Sequence, residues 1–572
     1  MKTVEMKNSA EEEASMKNKG NYLSKVIFFS MIVLAGYIGC TSHTCVVTGS
    51  STDGIKENVE TVSGSKVSSY TSQGISALYP VCIQKYGTMK YGYIDSTGKM
   101  VIQPIYEDAQ NFSEGFAIVY TGKEYHVIDE KGKEIVASIG PIQTFHDGLA
   151  AFSDSKNSTQ GYINTSGSII IRPQFDTAGS FRADGTAIVT KSGKYEIINK
   201  KGKILKTYRL HKKYTGCNVT DDGYVMYTDL NTHREGVLTI DGKVILKPVY
   251  EEVTYLGDGL FGVKKALSAK EAYLVNIKPA AIVNKYGKRI TSYKYYDLSE
   301  FNGDYATATS EKYTYFIEKS GRRAENLPLL EGRGTAKVLG NVIQADIDNE
   351  MFYIKKDGTT VWKNDGITRL SSGIKVSTVK FKPNKYVVVN YPQIDGMENE
   401  KVQNVVNTKL KTIFTKSRMS IKEKEHMTVH DNFTVKQIRN LLIINATGYD
   451  YYFGCAHGTP ICIYHFIDTK TGDFYQLKDL FHSNSDYVTK LSKIIAAQMK
   501  EKSKSQCGYN FTRKDKINKE QYFYLSEDKL TIYFDTGTVM AYAAGFPKFE
   551  IPFQDIMDMI DTNGSFWKAF HE

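Results

Sequence analysis

The sequence predicts a mainly β repeat region, β-propeller-like or alternatively a β-solenoid, followed by an α+β C-terminal domain. Three observations lead there. A unit of strand, Gly turn, strand and Pro-broken loop, first met at residues 90–123 (KYGYIDSTGKMVIQPIYEDAQNFSEGFAIVYTGK), returns down about half the chain. Its equivalent residues Ile94, Ile128, Ile163 and Ile198 set a period of about 35 residues, within the range of repeat architectures. From about Ile374 onward the repeat gives way to a mixture of alternating and helical spacing.

Residues 1–40 read as an address. The apolar run at 26–39, VIFFSMIVLAGYIG, follows Lys17, Lys19 and Lys25. It is short for a membrane span and suits the apolar core of a signal peptide. Glu11, Glu12 and Glu13 are unusual so close to such a core, and Met16 offers an alternative start. The run ends at Tyr37-Ile38-Gly39-Cys40, which resembles the bacterial lipobox; the resemblance implies a lipid on Cys40. The alternative is an uncleaved N-terminal hydrophobic anchor. Both place the bulk of the chain outside the cytoplasm, on the outer face of the cell membrane. Residues 41–75, rich in Ser, Thr and Gly without apolar period, read as a flexible tether.

Residues 76–372 hold about eight repeat units. In the first, Tyr93-Ile94-Asp95 and Met100-Val101-Ile102 alternate on either side of Gly98, the pattern of a β-hairpin. Pro104 then ends the second strand, because it has no N–H to give a ladder. Corners such as Phe112-Ser113-Glu114-Gly115 open the next strand. Glu114, Asp147, Asp184, Asp222 and Asp258 recur before Gly at these corners, which marks turn chemistry and not paired catalytic acids. The units resemble the WG (KWG) repeats of bacterial proteins over about residues 85–365. Tyr91-Gly92, Tyr125-His126 and Gln160-Gly161 stand where that family has Trp-Gly, and an aromatic there is expected to fill a core slot. One such unit cannot bury its apolar face alone, so neighbouring copies must share a core.

Residues 376–572 read as an α+β domain of strands and two amphipathic helices. One helix carries Val402, Val405, Val406, Leu410 and Ile413; the other carries Tyr487, Leu491, Ile494, Ile495 and Met499, with Ser485 or Asp486 as N-cap. Strands are expected over 376–391, 433–445, 449–454 and 461–468, with a hairpin at 522–534. Four ordered motifs stand here: Tyr391-Pro392-Gln393-Ile394, Gly454-Cys455-Ala456-His457-Gly458, Asp479-Leu480-Phe481 and Tyr542-Ala543-Ala544-Gly545-Phe546-Pro547. They resemble the secreted domain of unknown function that forms the ectodomain of the lysozyme-sensing anti-sigma factor RsiV and recurs in the deacetylase PdaC. That family usually has Gly-Gly-Ala-His-Gly where this chain has Cys455 at the second position.

Cys455, His457, Cys462 and His465 have the residue types of a zinc site, but along a strand Cys462 and His465 point to opposite faces, so no metal and no cofactor is expected. Outside the cell a disulfide is the better use of Cys455 with Cys462 or Cys507. Tyr451, Tyr452, His457 and Tyr542 are the candidate partner-binding residues, and no catalytic residue is assigned. The chain carries 73 Lys and Arg against 63 Asp and Glu, scattered without a basic stripe, so nucleic acid is not an expected partner. The expectation is a non-catalytic cell-surface binding protein whose β-repeat platform displays a domain for a partner. The resemblance implies a lysozyme-like protein or peptidoglycan as that partner. The alternatives are an envelope enzyme or accessory subunit acting on peptidoglycan, and a structural surface protein.

Overall fold

The Asp or Asn ending the middle strand of a repeat closes the turn that follows it. Asp129 Oδ1 accepts from the N–H groups of Lys131 and Lys133, both at 2.9 Å. Asn199 does the same for Lys201 and Lys203, and Asn284 for Tyr286 and Lys288, all at 3.0 Å. Such local side-chain bonds satisfy turn donors that no ladder can reach. The glycine of the Trp-Gly place has a different reason. A Cβ on Gly92 would lie 2.7 Å from Pro104 N, and one on Gly161 2.6 Å from Pro173 N. The strand carrying the proline bulges onto the glycine, so only a residue without a side chain fits.

These hairpins are found in a computed structural model that describes residues 77–85, 88–137, 140–154, 158–210, 214–268, 270–505 and 517–572. The signal-like run, the tether, Cys40 and Cys507 lie outside the described residues. The chain from Tyr79 to Glu572 forms one compact unit. Its repeats make antiparallel sheets of three or four strands, except that the strand Val244–Gly257 runs on from one repeat into the next and joins two of them into a six-stranded sheet.

Apolar clusters straddle successive sheets. Ile118 and Val127 pack with Phe145, Phe152 and Ile163; Leu149 and Tyr162 with Ala187 and Ile198; Phe316 and Leu330 with Ile343 and Ile354. The series ends on itself. Tyr79, Val81 and Ile94 of the first sheet share a cluster with Val342 and Tyr353 of the last. Tyr93 Oη donates to Gln110 O at 2.8 Å and Tyr162 Oη to Gly179 O at 2.7 Å, each reaching the start of the next sheet. Tyr353, at the equivalent place, donates to Pro80 O at 2.6 Å, so the sheet after the last is the first. Asn111 Nδ2, at the start of the second sheet, donates to Gln344 Oε1 of the last at 3.1 Å, a further link between the beginning and the end of the series. The repeats therefore close into a propeller-like ring, which decides against an open solenoid.

The Trp place differs from its expected role. Tyr91 and Tyr125 are only half-buried, while the fully buried rings, Tyr93, Tyr162 and Tyr353, sit elsewhere in the strand. Where the aromatic is lost, a polar side chain serves the neighbouring segment: Gln160 Oε1 accepts from Ala178 N at 2.6 Å, and Glu235 Oε2 from Val253 N at 2.7 Å.

In the C-terminal domain the strands Lys375–Asn384, Val387–Asp395, Met427–Ile438, Leu441–Tyr452 and Thr459–Asp468 form the body of a seven-stranded sheet. The strands expected at 376–391 and 433–445 are each a hairpin, with turns near 385–386 and 439–440. Arg439, at φ 52°, makes the second turn, and no Gly or Pro marks it in the sequence. Helix Glu400–Thr415 packs on one face, capped by Asn399, whose Oδ1 accepts from Lys401 N at 3.0 Å. Its buried apolar side chains are Val406, Leu410 and Phe414, whereas Val405 is 66% and Ile413 36% exposed. Helix Tyr487–Ser505 packs with the hairpin Phe523–Leu525 and Lys529–Tyr533 over the larger core, and Asp486 Oδ1 reaches Thr489 N at 3.4 Å. The Asp-Leu-Phe motif is structural: Leu480 and Phe481 are buried, and Phe481 stacks on Tyr487 at 4.5 Å.

The domain sits on three consecutive hairpins of the ring. Lys385 pairs with Glu311 at 3.3 Å, Lys382 with Asp348 at 2.7 Å and Lys380 with Glu350 at 3.0 Å. His430 meets Asn349 Nδ2 at 2.8 Å. The third hairpin joins the strands Leu260–Lys265 and Ala280–Asn284.

Two expectations follow. Gly161→Ala lowers unfolding free energy by roughly 2–3 kcal/mol in chemical denaturation, because the new methyl meets main chain that cannot give way. Burial raises the Glu235 carboxyl to about 7. The folded state then holds its proton more tightly than the unfolded chain does. That contribution is fully present below the unfolded value near 4.5 and is lost as pH rises toward about 7. Glu235→Gln, which keeps the acceptor as Gln160 does, should flatten this fall and raise the melting temperature at pH 8, measured by calorimetry across pH 5–8.

Candidate partner-binding surface

Beneath the candidate residues lies an ionic anchor that the sequence pattern did not single out. Arg418, just past helix Glu400–Thr415, reaches two carboxylates on paired strands. Its Nε and Nη2 donate to Asp431 at 2.7 and 3.0 Å, and its Nη1 and Nη2 to Asp450 at 2.9 Å each. The Arg418 and Asp431 side chains are nearly buried. Burial pushes the Asp431 carboxyl up, and Arg418 opposes that only in part. Gly448 stands opposite Asp431 in the ladder, where a Cβ would run into the carboxylate. Planar bidentate pairs fix direction as well as distance, so the anchor sets the end of the strand Leu441–Tyr452.

From that end the chain turns through residues 453–458. Phe453 is buried against Tyr386, with ring centroids 5.4 Å apart, and Phe453 N donates to His426 O at 2.8 Å. Gly454, at φ 82°, reverses the chain. Gly458 N donates to Tyr449 Oη at 2.7 Å, and Tyr542 Oη donates to Gly458 O. The exposed His457 ring stacks on Tyr542 at 3.8 Å with 21° between the planes. The Ala-His-Gly and Tyr-Ala-Ala-Gly-Phe-Pro motifs, far apart in sequence, thus meet as one polar–aromatic knot.

The structure brings Tyr451, His457 and Tyr542 to one side, together with Tyr449, which is 41% exposed. Tyr452 does not join them. Side chains alternate along a strand, and Tyr452 follows Asp450 onto the face toward Arg418, where it is 53% exposed. Cys455 and Cys462 are free thiols and do not pair. Cys462 stands opposite Thr447, five residues or roughly 17 Å from the strand end that leads to Cys455. Cys462 Sγ donates to Asn445 Oδ1 at 3.3 Å. His465 lies on the helix side against Phe414, centroids 6.1 Å apart, where burial lowers its imidazole to about 4. Among the described residues no group of three His, Cys, Asp or Glu is placed to hold a metal ion.

The corner acids act as turn residues. Glu114 accepts from Asp147 N at 2.7 Å and from Gly148 N at 2.9 Å, tying one corner to the next. Sequence reasoning missed Arg418 because nothing local marks a cation whose partners lie 13 and 32 residues away. A charged residue inside the alternating run Met427–Ile438 was the one available signal, at Asp431.

Comparison with known proteins places both parts of the chain. The model for the WG containing repeat matches residues 91–125, 161–195 and 236–266, and the model for a protein of unknown function, DUF3298, matches 478–554. The chain therefore carries WG repeats joined to a C-terminal DUF3298 domain. A DUF3298 member from Bacteroides fragilis is similar at 18% identity, covering 36% of this chain and 98% of its own, with a TM-score of 0.27. A DUF3298 protein from Pseudomonas aeruginosa is similar at 13% identity, covering 33% and 94%, with a TM-score of 0.25. The β-propeller domain of Cps50 (Swd1) from Myceliophteria thermophila is similar at 10% identity, covering 41% and 91%, with a TM-score of 0.25. No curated protein matches the chain.

Arg418→Ala leaves two carboxylates without their cation and should cost about 3 kcal/mol at pH 7.5. Without Arg418 nothing opposes the burial that raises the Asp431 carboxyl above its unfolded value, so acid relieves the charge there. The loss measured by urea denaturation should therefore shrink at pH 5.

Proposed function

We propose that the protein is a non-catalytic binding protein held on the outer face of the cell membrane, through a lipid on Cys40 or the apolar run before it. The ring of WG repeats carries the DUF3298 domain, and the domain engages a partner of the envelope, a lysozyme-like protein or cell-wall glycan. The observation that supports this most is the knot of exposed His457 and Tyr449 with half-buried Tyr542, pinned by hydrogen bonds to the main chain of Gly458. A preset aromatic surface with hydroxyl and imidazole edges suits recognition, since rigid aromatics give contact area with little ordering cost. The nearby acids favour binding over turnover, because Asp431 and Asp450 are both committed to Arg418.

The test uses the whole chain in detergent, with calorimetric titration of a c-type lysozyme and co-sedimentation with purified peptidoglycan sacculi. Micromolar or tighter binding to either, weakened by His457→Ala and Tyr542→Ala, is the expected result. Silence toward both, from folded protein, would overturn the reading.

A further inference from the structure

The sixth repeat departs from the period. Leu238 and Ile282 occupy equivalent places but stand 44 residues apart (282 − 238), the longest interval in the series, against 34 to 40 elsewhere. Much of the excess is the hairpin connection 266–279 between the strands Leu260–Lys265 and Ala280–Asn284. Equivalent connections take only a few residues, as at 192–193 and 348–349. This one holds a short 3₁₀ helix, Ala272–Ile277, whose Tyr273 is 41% exposed and belongs to none of the repeat clusters. A bulky ring on an insertion that the ring of sheets does not need calls for another reason.

Tyr273 points at the DUF3298 domain. Its ring lies 5.7 Å from His426, which stacks on Phe453 at 6.3 Å. A Cβ on Gly454 would lie 2.8 Å from Tyr273 Cα, so the first glycine of the Gly-Cys-Ala-His-Gly loop is the surface against which the insertion packs. The next aromatics outward are Tyr451, 6.4 Å from Phe453, and then Tyr449 with the His457–Tyr542 stack. Several charges near this row are paired: Arg418 with Asp431 and Asp450, Lys382 with Asp348, Lys278 with Glu271, while Lys270 on the insertion is exposed and has no ion-pair partner among the described residues. What remains is a run of phenol rings and an imidazole with one lysine beside it.

Resting on the binding role proposed above, we infer that residues 270–279 of the insertion and the loop 453–458 form one composite site for a neutral glycan strand, with Tyr273 as the repeat region's own contribution. Sugar rings present flat C–H faces that stack on tyrosines, and their hydroxyls find phenol and imidazole partners at the ring edges. A surround whose charges are mostly paired fits an uncharged chain better than a polyanion or a strongly basic protein. The repeats are then part of the recognition surface as well as its support.

The test is calorimetric titration of the full chain with chitohexaose, a soluble neutral β-1,4-linked glycan, beside the lysozyme titration on the same samples. Wild type should bind, Tyr273→Ala should bind about tenfold more weakly, and Tyr273→Phe should stay within about twofold because it keeps the stacking face. Melting curves confirm that both variants remain folded. Tyr449→Ala should weaken binding in parallel. Glycan binding that falls with Tyr449→Ala but not with Tyr273→Ala would overturn the composite site and leave the binding role standing. Lysozyme binding with no response to chitohexaose would overturn the glycan assignment alone, and silence toward both would remove the binding role and this inference together.

Discussion

Burial shared between neighbouring sheets is the constraint on which the structure depends. A three-stranded sheet of this size cannot exclude water from both faces alone. Each sheet here lends its apolar face to the next, and the debt would remain open at the two ends of a linear stack. The cluster of Tyr79, Val81 and Ile94 with Val342 and Tyr353 removes those ends. The hydroxyl of Tyr353 is the clearest mark of closure, because it does for the first sheet what Tyr93 and Tyr162 do for their successors. The outer strands keep exposed apolar residues such as Val101, Ile105 and Val249, which the ring does not cover.

Closure also fixes where the C-terminal domain can sit. The connections at 266–279, 310–312 and 348–349 come from consecutive sheets and so lie side by side. Lys380, Lys382, Lys385 and His430 meet them along one edge of the domain. Individually such partly exposed ion pairs contribute little. Together with the Tyr273 contact they define one orientation, which brings the 453–458 loop beside the ring. The Arg418 anchor does the complementary work inside the domain, holding the strand from which that loop departs.

The four family-like motifs of the domain have distinct physical jobs. In Tyr391-Pro392-Gln393-Ile394, Ile394 exchanges two hydrogen bonds with the side-chain amide of Asn407, at 2.7 and 2.8 Å, so a helix side chain completes the strand. Asp479-Leu480-Phe481 buries two side chains and turns the chain into the second helix. The other two motifs build the knot at Gly458. Two of the four are packing devices, which accounts for a resemblance that is informative about fold and says less about ligand.

The sequence by itself determined whatever is encoded within a few residues. The hairpins were legible because Asp or Asn, Gly and Pro act on neighbours two to twelve positions away. The recurrence of the corner acids before Gly marked them as turn residues, and Glu114 and Asp147 do adopt φ 52° there, but the bonds from Glu114 to the next corner span 33 and 34 residues and were not legible; both long helices were visible from their spacing. Only the tertiary structure decided ring over solenoid, since Tyr353 and Pro80 meet across 273 residues of chain. It also decided that Val405 and Ile413 face solvent while Phe414 is buried, that Tyr452 stands apart from Tyr451, and that Cys455 and Cys462 remain thiols. Arg418 with Asp450 and Tyr273 with Gly454 are likewise products of chain closure. A side chain's type states what it can bond to; which group arrives there is settled by the packing of the whole.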